Sequence, residues 1–349
     1  MNNVIRPRAV FRCDGGVGIG AGHLARCLML ANGLAAARWD CIFLVNDEAQ
    51  KVLPRLFASQ HDVRKLDEDA RLSASAVKDC GRGDLLVVDH YELGRDFEDA
   101  VRDAFRLVMA IDDFPRRKHR CDILLNQNIE PSAPEILHGG AAHELFGRQY
   151  ALLDPRYSAL RSEVLPRRKK TESVKRLLIC FGASDPNNYC GRAVSAIREA
   201  GFDLAIDIAV SSASPNAGVL LELADLAGSG VTLHLDAENM PDLMARVDLA
   251  IGAAGVTTWE RCCLGLPSIV YQCADNQARI AQAIAGQAAG IVLGEAETMT
   301  DDTLVRAFKA LCADPDARAA MSDRAARMVD GCGVARVVGK IEMLRGGTA

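Results

Sequence analysis

The chain has 349 residues, 49% of them apolar and 25% charged, the balance of a folded protein, which excludes extensive disorder. That length exceeds what one hydrophobic core usually organises, so two domains are expected. A net charge of −5 gives no electrostatic footprint for nucleic acid or anionic lipid, so any phosphate must be held by local groups.

Met1 to Val10 lacks an apolar leader core, and no later run reaches the roughly 18 apolar residues of a membrane span, so a cytoplasmic location is expected. The 12 cysteines include no CxxC pair and read as reduced thiols, mostly buried, not as a disulfide framework or zinc site.

Short apolar runs alternate with amphipathic stretches, the pattern of βαβ units around parallel sheets. Strands are predicted at Ala9 to Cys13, Cys41 to Val45, Val63 to Leu66, Leu85 to Asp89 and Leu107 to Ile111, with Ile123 to Leu125 and Tyr150 to Leu153 as further candidates. The first helix is predicted over Leu24 to Ala37. Residues 161–175 are polar and aperiodic and read as a linker between a domain of residues 1–160 and one of residues 176–330. The second domain repeats the pattern with strands at Arg176 to Phe181, Ala205 to Val210, Val231 to Leu235, Leu249 to Ile251 and Ser268 to Tyr271. Residues 331–349 read as a C-terminal helix and tail, with Val334 to Leu344 packing back on the first domain. The expected class is α/β, two Rossmann-like domains facing a cleft.

The first domain opens with five glycines, Gly15, Gly16, Gly18, Gly20 and Gly22, ahead of a helix. Such glycines let backbone approach a ligand, and the opening N–H groups attract anions. The dinucleotide fingerprint is only loosely met, because neither Gly16-Val-Gly18 nor Gly18-Ile-Gly20 leads to a glycine at the sixth place. His23, at the mouth of the helix, suits proton transfer near neutral pH, although a lone histidine there is more often a polar or capping residue. In the second domain, Leu249 to Glu260 reads as a strand, a small-residue turn with Gly252 and Gly255, and a helix with Thr257, Thr258 and Glu260. Small residues leave room for a diphosphate and a carboxylate one turn in can accept ribose hydroxyls, while a first-turn acid also suits the helix dipole. Asp89-His90-Tyr91, Asp112-Asp113, Asn126-Gln127-Asn128 and Ala274-Asp-Asn-Gln277 all follow strands, where substrate contacts of open sheets lie. Paired Asp112-Asp113 raises the question of Mg²⁺ but reads better as a turn or cap.

Taken together, Arg12-Cys-Asp14, Ile19 to Leu28, Val88 to Tyr91, Ile111 to Asp113, Leu124 to Asn128, Gly182 to Asn187, Gly255 to Pro267 and Ala274 to Gln277 resemble the UDP-sugar hydrolase family of pseudaminic acid biosynthesis. That family is similar to the glycosyltransferase B (GT-B) architecture of the peptidoglycan N-acetylglucosaminyl transferase. The resemblance implies hydrolysis of UDP-2,4-diacetamido-2,4,6-trideoxy-β-L-altrose at the anomeric C–O bond, with inversion and no metal or cofactor. It makes His23 the base for water and Tyr91 its support or a sugar contact. It places Asp14, Gly20 and Gly22 at the substrate, and Glu260 at the ribose. Gly182, Ser184, Gly252, Gly255, Val256, Thr257, Thr258, Asn276 and Gln277 would surround UDP. Val256 stands where a hydroxyl residue is common, and Gly94 and Phe97 replace an Asp and a Trp, which bears on sugar specificity. A small-molecule UDP-sugar is the expected partner and a monomer the expected state. A UDP-sugar-dependent transferase, a hydrolase of a related UDP-diacetamido sugar and a non-catalytic nucleotide-sugar sensor are the alternatives.

Overall fold

The computed structural model describes residues 6–16, 18–114, 117–128, 141–226 and 230–347. Val17, inside the glycine-rich segment, lies outside them. The chain divides into two compact units, Met1–Leu153 with Cys332–Ala349, and Asp154–Gly331.

In the first unit, β1 (Arg8–Cys13), β2 (Asp40–Val45), β3 (Asp62–Lys65), β4 (Gly83–Asp89), β5 (Phe105–Ile111), β6 (Ile123–Asn126) and β7 (His143–Phe146) form one sheet. The order is β3-β2-β1-β4-β5-β6-β7, and every pairing is parallel. Crossover helices cover both faces of such a sheet, so central strands read as continuous apolar runs. Ala9 and Phe11 accordingly pack in one core cluster while Val10 packs in another. The strand order reverses between β1 and β4, which opens a crevice at their carboxyl ends.

The helix Gly22–Ala36 starts two residues before the predicted one and puts Leu24, Cys27, Leu28 and Ala31 into the core. The C-terminal helix Gly333–Gly346 adds Val334, Val337 and Ile341 to the same core. Two predictions need correction here. Tyr150 to Leu153 is not a strand; Tyr150 closes a 3₁₀ turn at Arg148–Tyr150, and the seventh strand lies upstream at β7. β7 is short and only half apolar, so its pattern was too weak to read.

The second unit holds β8 (Arg176–Cys180), β9 (Ala205–Val210), β10 (Val231–Leu235), β11 (Leu249–Ala253), β12 (Ser268–Gln272) and β13 (Ile291–Glu295). Their order is β10-β9-β8-β11-β12-β13, again all parallel, with the reversal between β8 and β11.

The second correction concerns residues 161–175. A helix, Pro155–Arg168, fills the first half of that stretch and belongs to the second unit. Asp154 caps it by accepting from the Arg156 N–H, and Pro155 occupies the first turn where its missing N–H costs nothing. The charged run misleads because Arg168 is buried. Its guanidinium donates to the carbonyls of Leu264 at 2.6 Å and of Val247 and Met244 at 2.8 Å, and burial pushes its pKa down to about 9.

All 12 cysteines are free, eight of them buried and Cys332 exposed. Among the described residues no helix is long and apolar enough to cross a membrane.

Candidate active site

In the first unit, chemistry converges on the crevice between β1 and β4. Parallel register sets Cys13 opposite Asp89, so the ends of both strands reach the same level. Asp89, wholly buried, ends β4 and faces the first turn of Gly22–Ala36. His23 Nδ1 donates to Asp89 Oδ1 at 2.5 Å. Arg26, one turn further on the same helix face, donates from Nε to Asp89 Oδ2 and from Nη2 to Oδ1, both at 2.6 Å. Its Nη1 reaches both oxygens of Asp113 at 2.9 and 3.0 Å, and Asn128 Nδ2 donates to Asp113 Oδ1 at 2.7 Å.

Burial alone would raise the Asp89 carboxyl, but the charges and hydrogen bonds of Arg26 and His23 hold it well below the usual carboxylate range. A permanent carboxylate on Nδ1 fixes the imidazole tautomer and leaves Nε2 to act. Among the described residues Nε2 has no protein partner. The ring of Tyr91 meets that of His23 edge to face, with centroids 4.5 Å apart.

The glycine-rich turn borders this dyad. Gly16 and Gly20 exchange backbone hydrogen bonds at 3.3 and 2.6 Å, and Gly20 takes a φ of +83° that L side chains rarely adopt. Gly22 begins the helix, whose N-cap residue Ala21 makes no side-chain capping bond.

Asp14 is placed differently from its sequence-level role. Both its oxygens are engaged, accepting from Arg12 Nη1 at 2.5 Å, Arg12 Nη2 at 3.0 Å, His90 Nε2 at 2.9 Å and the Asn46 N–H at 3.0 Å. Burial would raise its pKa, but His90 and Arg12 hold it well down. With 2% exposure it orients the loop carrying Tyr91 instead of meeting a ligand. His90 completes that link, because its Nδ1 accepts from the Glu92 N–H at 3.0 Å.

Asp112 makes the expected turn, accepting from the Phe114 N–H at 2.8 Å, whereas Asp113 joins the Arg26 network. Phe97, read as bearing on specificity, is instead buried in the core beside Val10 and Val101. Among the described residues, Glu98, His119 and Cys121 are close enough to share a metal ion. Both ring nitrogens of His119 are already taken by carboxylates, Glu98 at 2.6 Å and Asp112 at 2.8 Å, so this group suits a proton, not a cation.

In the second unit the equivalent crevice lies between β8 and β11. Gly182 follows β8 with a φ of +107° and leads through Ser184 to Asp185, whose carboxylate caps the N–H groups of Tyr189 and Cys190 at 2.9 Å each. After β11, Gly255, Val256, Thr257 and Glu260 lie half-exposed on one short stretch. The amide of Gln277 comes within 3.8 Å of where a Cβ on Gly255 would sit, its Oε1 accepts from the Cys273 N–H at 2.9 Å, and neighbouring Asn276 is exposed.

Two residues assigned to UDP lie beneath this surface. Thr258 is 1% exposed, and its hydroxyl donates to the Ala253 carbonyl at 3.2 Å while accepting from Arg261 Nη2 at 2.9 Å. Gly252 sits inside the strand, where a Cβ would run into the Cys180 carbonyl oxygen. Its smallness serves strand packing. Sequence reasoning also passed over Arg261, 2% exposed, which donates to the Ala253 carbonyl at 2.6 Å and whose pKa burial lowers.

No family model matches the chain. It is 27% identical over 240 residues to the UDP-2,4-diacetamido-2,4,6-trideoxy-beta-L-altropyranose hydrolase of Campylobacter jejuni, covering 68% of this chain and 81% of that one. It is 22% identical over 343 residues to the spore coat polysaccharide biosynthesis protein SpsG of Bacillus subtilis, covering 95% and 96%. An uncharacterized protein of Methanocaldococcus jannaschii is 24% identical over 266 residues, 74% of this chain but 54% of that protein, so the chain spans about half its length. Among solved structures, MurG of Acinetobacter baumannii superposes with a TM-score of 0.68 at 14% identity over 96% of this chain and 99% of that one. The calicheamicin glycosyltransferase CalG4 gives 0.61 at 15% identity over 99% of both. The resemblance to the UDP-sugar hydrolases read from the motifs therefore extends to a relative of that name. The fold is the two-domain α/β architecture of the GT-B enzymes.

Proposed function

We propose that the chain is a nucleotide-sugar hydrolase that cleaves UDP-2,4-diacetamido-2,4,6-trideoxy-β-L-altrose, or a closely related UDP-diacetamido sugar, to UDP and the free sugar in pseudaminic acid biosynthesis. The observation that carries this reading is the buried His23–Asp89 pair, with Nδ1 bound at 2.5 Å and Nε2 left to take a proton. UDP is a good leaving group, so hydrolysis chiefly needs an oriented water, one base and stabilisation of the departing phosphate. His23 takes the proton from water as it attacks the anomeric carbon on the face opposite UDP, the anomeric C–O bond breaks, and the configuration inverts. Asp89 stabilises the imidazolium formed in that step.

In the second unit, Glu260 takes the ribose hydroxyls, while Gly182, Ser184, Gly255, Val256, Thr257, Asn276 and Gln277 surround the diphosphate. Thr258 and Gly252 support this surface from below, and in the first unit Asp14 holds the loop that carries Tyr91. The activity belongs to a cytoplasmic monomer and involves no metal or cofactor.

The likeness in fold to MurG favours a second reading, transfer of the sugar to an acceptor hydroxyl. Following UDP release by NMR without acceptor, over a panel of UDP-sugars, separates the two. Release from the diacetamido sugar supports hydrolysis, and release only after acceptor is added supports transfer. In ¹⁸O-water the label is expected in the sugar; label in UDP refutes anomeric C–O cleavage.

A further inference from the structure

Phe114 is 43% exposed and Tyr91 36%. The two rings meet edge to face at 5.5 Å, and Tyr91 in turn contacts His23. A sugar held by hydrogen bonds alone has no use for two large apolar surfaces beside its base, and adjoining exposed aromatics mark a binding surface.

Their placement is also built into the loops. His119 lies between Glu98 and Asp112; burial would lower its pKa, but hydrogen bonds to Asp112 and Glu98 raise it to about 9, which keeps it an imidazolium. The other oxygen of Asp112 holds the Phe114 N–H at 2.8 Å. Arg117 Nε lies 3.4 Å from Asp112, and its Nη2 and Nη1 donate to the carbonyls of Leu93 at 2.9 Å and His90 at 3.4 Å. One buried carboxylate thus ties the loop of Phe114 to the loop of Tyr91. Gly94 gives Arg117 its room, since a Cβ there would lie 3.2 Å from Nη2. Buried charges are retained where they are fully paired and fix a conformation, and what these fix is the pair of rings.

We propose that Phe114 is a specificity-determining residue. With Tyr91 it forms an apolar wall beside His23 that receives the methyl group of an acylated amine on the sugar, and so selects N-acylated sugars over counterparts that lack the acyl group. Asp112, His119, Glu98 and Arg117 are positioning residues for that wall. This inference rests on the reading of the site as one for a UDP-sugar.

The test is titration calorimetry alongside UDP release, for wild type, Phe114→Ser, Phe114→Leu and His119→Gln, with UDP-diacetamido-trideoxy sugar and its counterpart lacking one acetyl group. A buried methyl group is worth a factor of about 10 or more in discrimination. Phe114→Ser is expected to weaken the diacetyl ligand about tenfold and the monoacetyl ligand only about twofold, mainly in KM, and Phe114→Leu to restore most of the difference. His119→Gln is expected to reproduce part of the loss in KM with kcat kept. Equal weakening of both ligands by Phe114→Ser, or none, overturns the inference whatever reaction the protein performs. Discrimination that depends on Phe114 without UDP release upholds the inference and sinks the hydrolase reading. Failure of wild type to bind either ligand sinks both.

Discussion

Asp89→Asn perturbs the site at its centre. In the wild type, Oδ1 accepts from His23 Nδ1 and Arg26 Nη2, and Oδ2 accepts from Arg26 Nε, so every contact here is a donor pointing at an anion. An amide offers one acceptor and one donor to these groups. If its nitrogen turns toward Arg26 Nε, two donors face each other and the charge opposite the guanidinium is halved, since only Asp113 remains. If its nitrogen turns toward His23, Nδ1 must accept, Nε2 becomes protonated, and the base is gone. Removing one partner of a buried ion pair costs about 3–5 kcal/mol, and the retained Asp113 contacts place this case at the lower end. For the reaction, a histidine base deprived of its orienting carboxylate loses about 10⁴ in rate in the best-studied triad, so a fall in kcat of about 10²–10⁴ is expected.

Urea unfolding gives the stability loss, and single-turnover UDP release below the unfolding transition gives the rate of folded enzyme. The Asp89 pKa is depressed in the folded state, so its contribution to stability is present above the ordinary carboxylate range and lost as pH falls through the folded value. Acid destabilisation should therefore be smaller in the variant. A folded Asp89→Asn protein with kcat within threefold of wild type would refute the assignment of His23 as a base oriented by Asp89.

Other consequences are equally direct. His23→Ala should abolish UDP release while leaving UDP affinity, measured by calorimetry, within about twofold; retained turnover would remove His23 from the mechanism. The raised pKa of His119 gives the opposite pH sign from Asp89. Its stabilisation is whole below the unfolded value near 6.5 and disappears as pH rises through about 9. It amounts to roughly 3 kcal/mol at most, so urea midpoints between pH 7 and 10 should fall more steeply in wild type than in His119→Gln. Gly252→Ala drives a methyl group into the Cys180 carbonyl oxygen and should destabilise the second unit by about 1–3 kcal/mol, seen as a lower calorimetric Tm for one transition. Arg168→Met strips three buried carbonyls of their donor and should cost at least as much; an unchanged Tm would mean that water replaces the guanidinium.

Periodicity was enough to read both parallel sheets, because central strands such as Ala9 to Cys13 and Leu249 to Ala253 are buried on both faces and must be apolar throughout. It failed at the margins. His143 and Glu144 break the pattern of β7, and in β13 Gly294 and Glu295 cut the apolar run short at Ile291 to Leu293. The helix at Pro155–Arg168 was hidden because arginine is read by its charge, whereas Arg168 is buried with its guanidinium bound to three carbonyls. The same blindness affected the site. His23 and Tyr91 stood out because their residue types suggest chemistry, but the groups that orient them, Asp89, Arg26 and Asp113, come from three separate elements and converge only when β1, β4 and β5 lie side by side. Asp14 shows the converse. A carboxylate at a strand end next to a glycine turn looks like a ligand contact, yet Arg12, two residues earlier on the same face of the strand, is already bound to it. Spacing of two in a strand places both side chains on one face, so the Arg-Cys-Asp motif itself encodes an internal ion pair. Catalytic residues can thus be guessed one at a time from sequence; whether a carboxylate faces substrate or supports a neighbour depends on its partners.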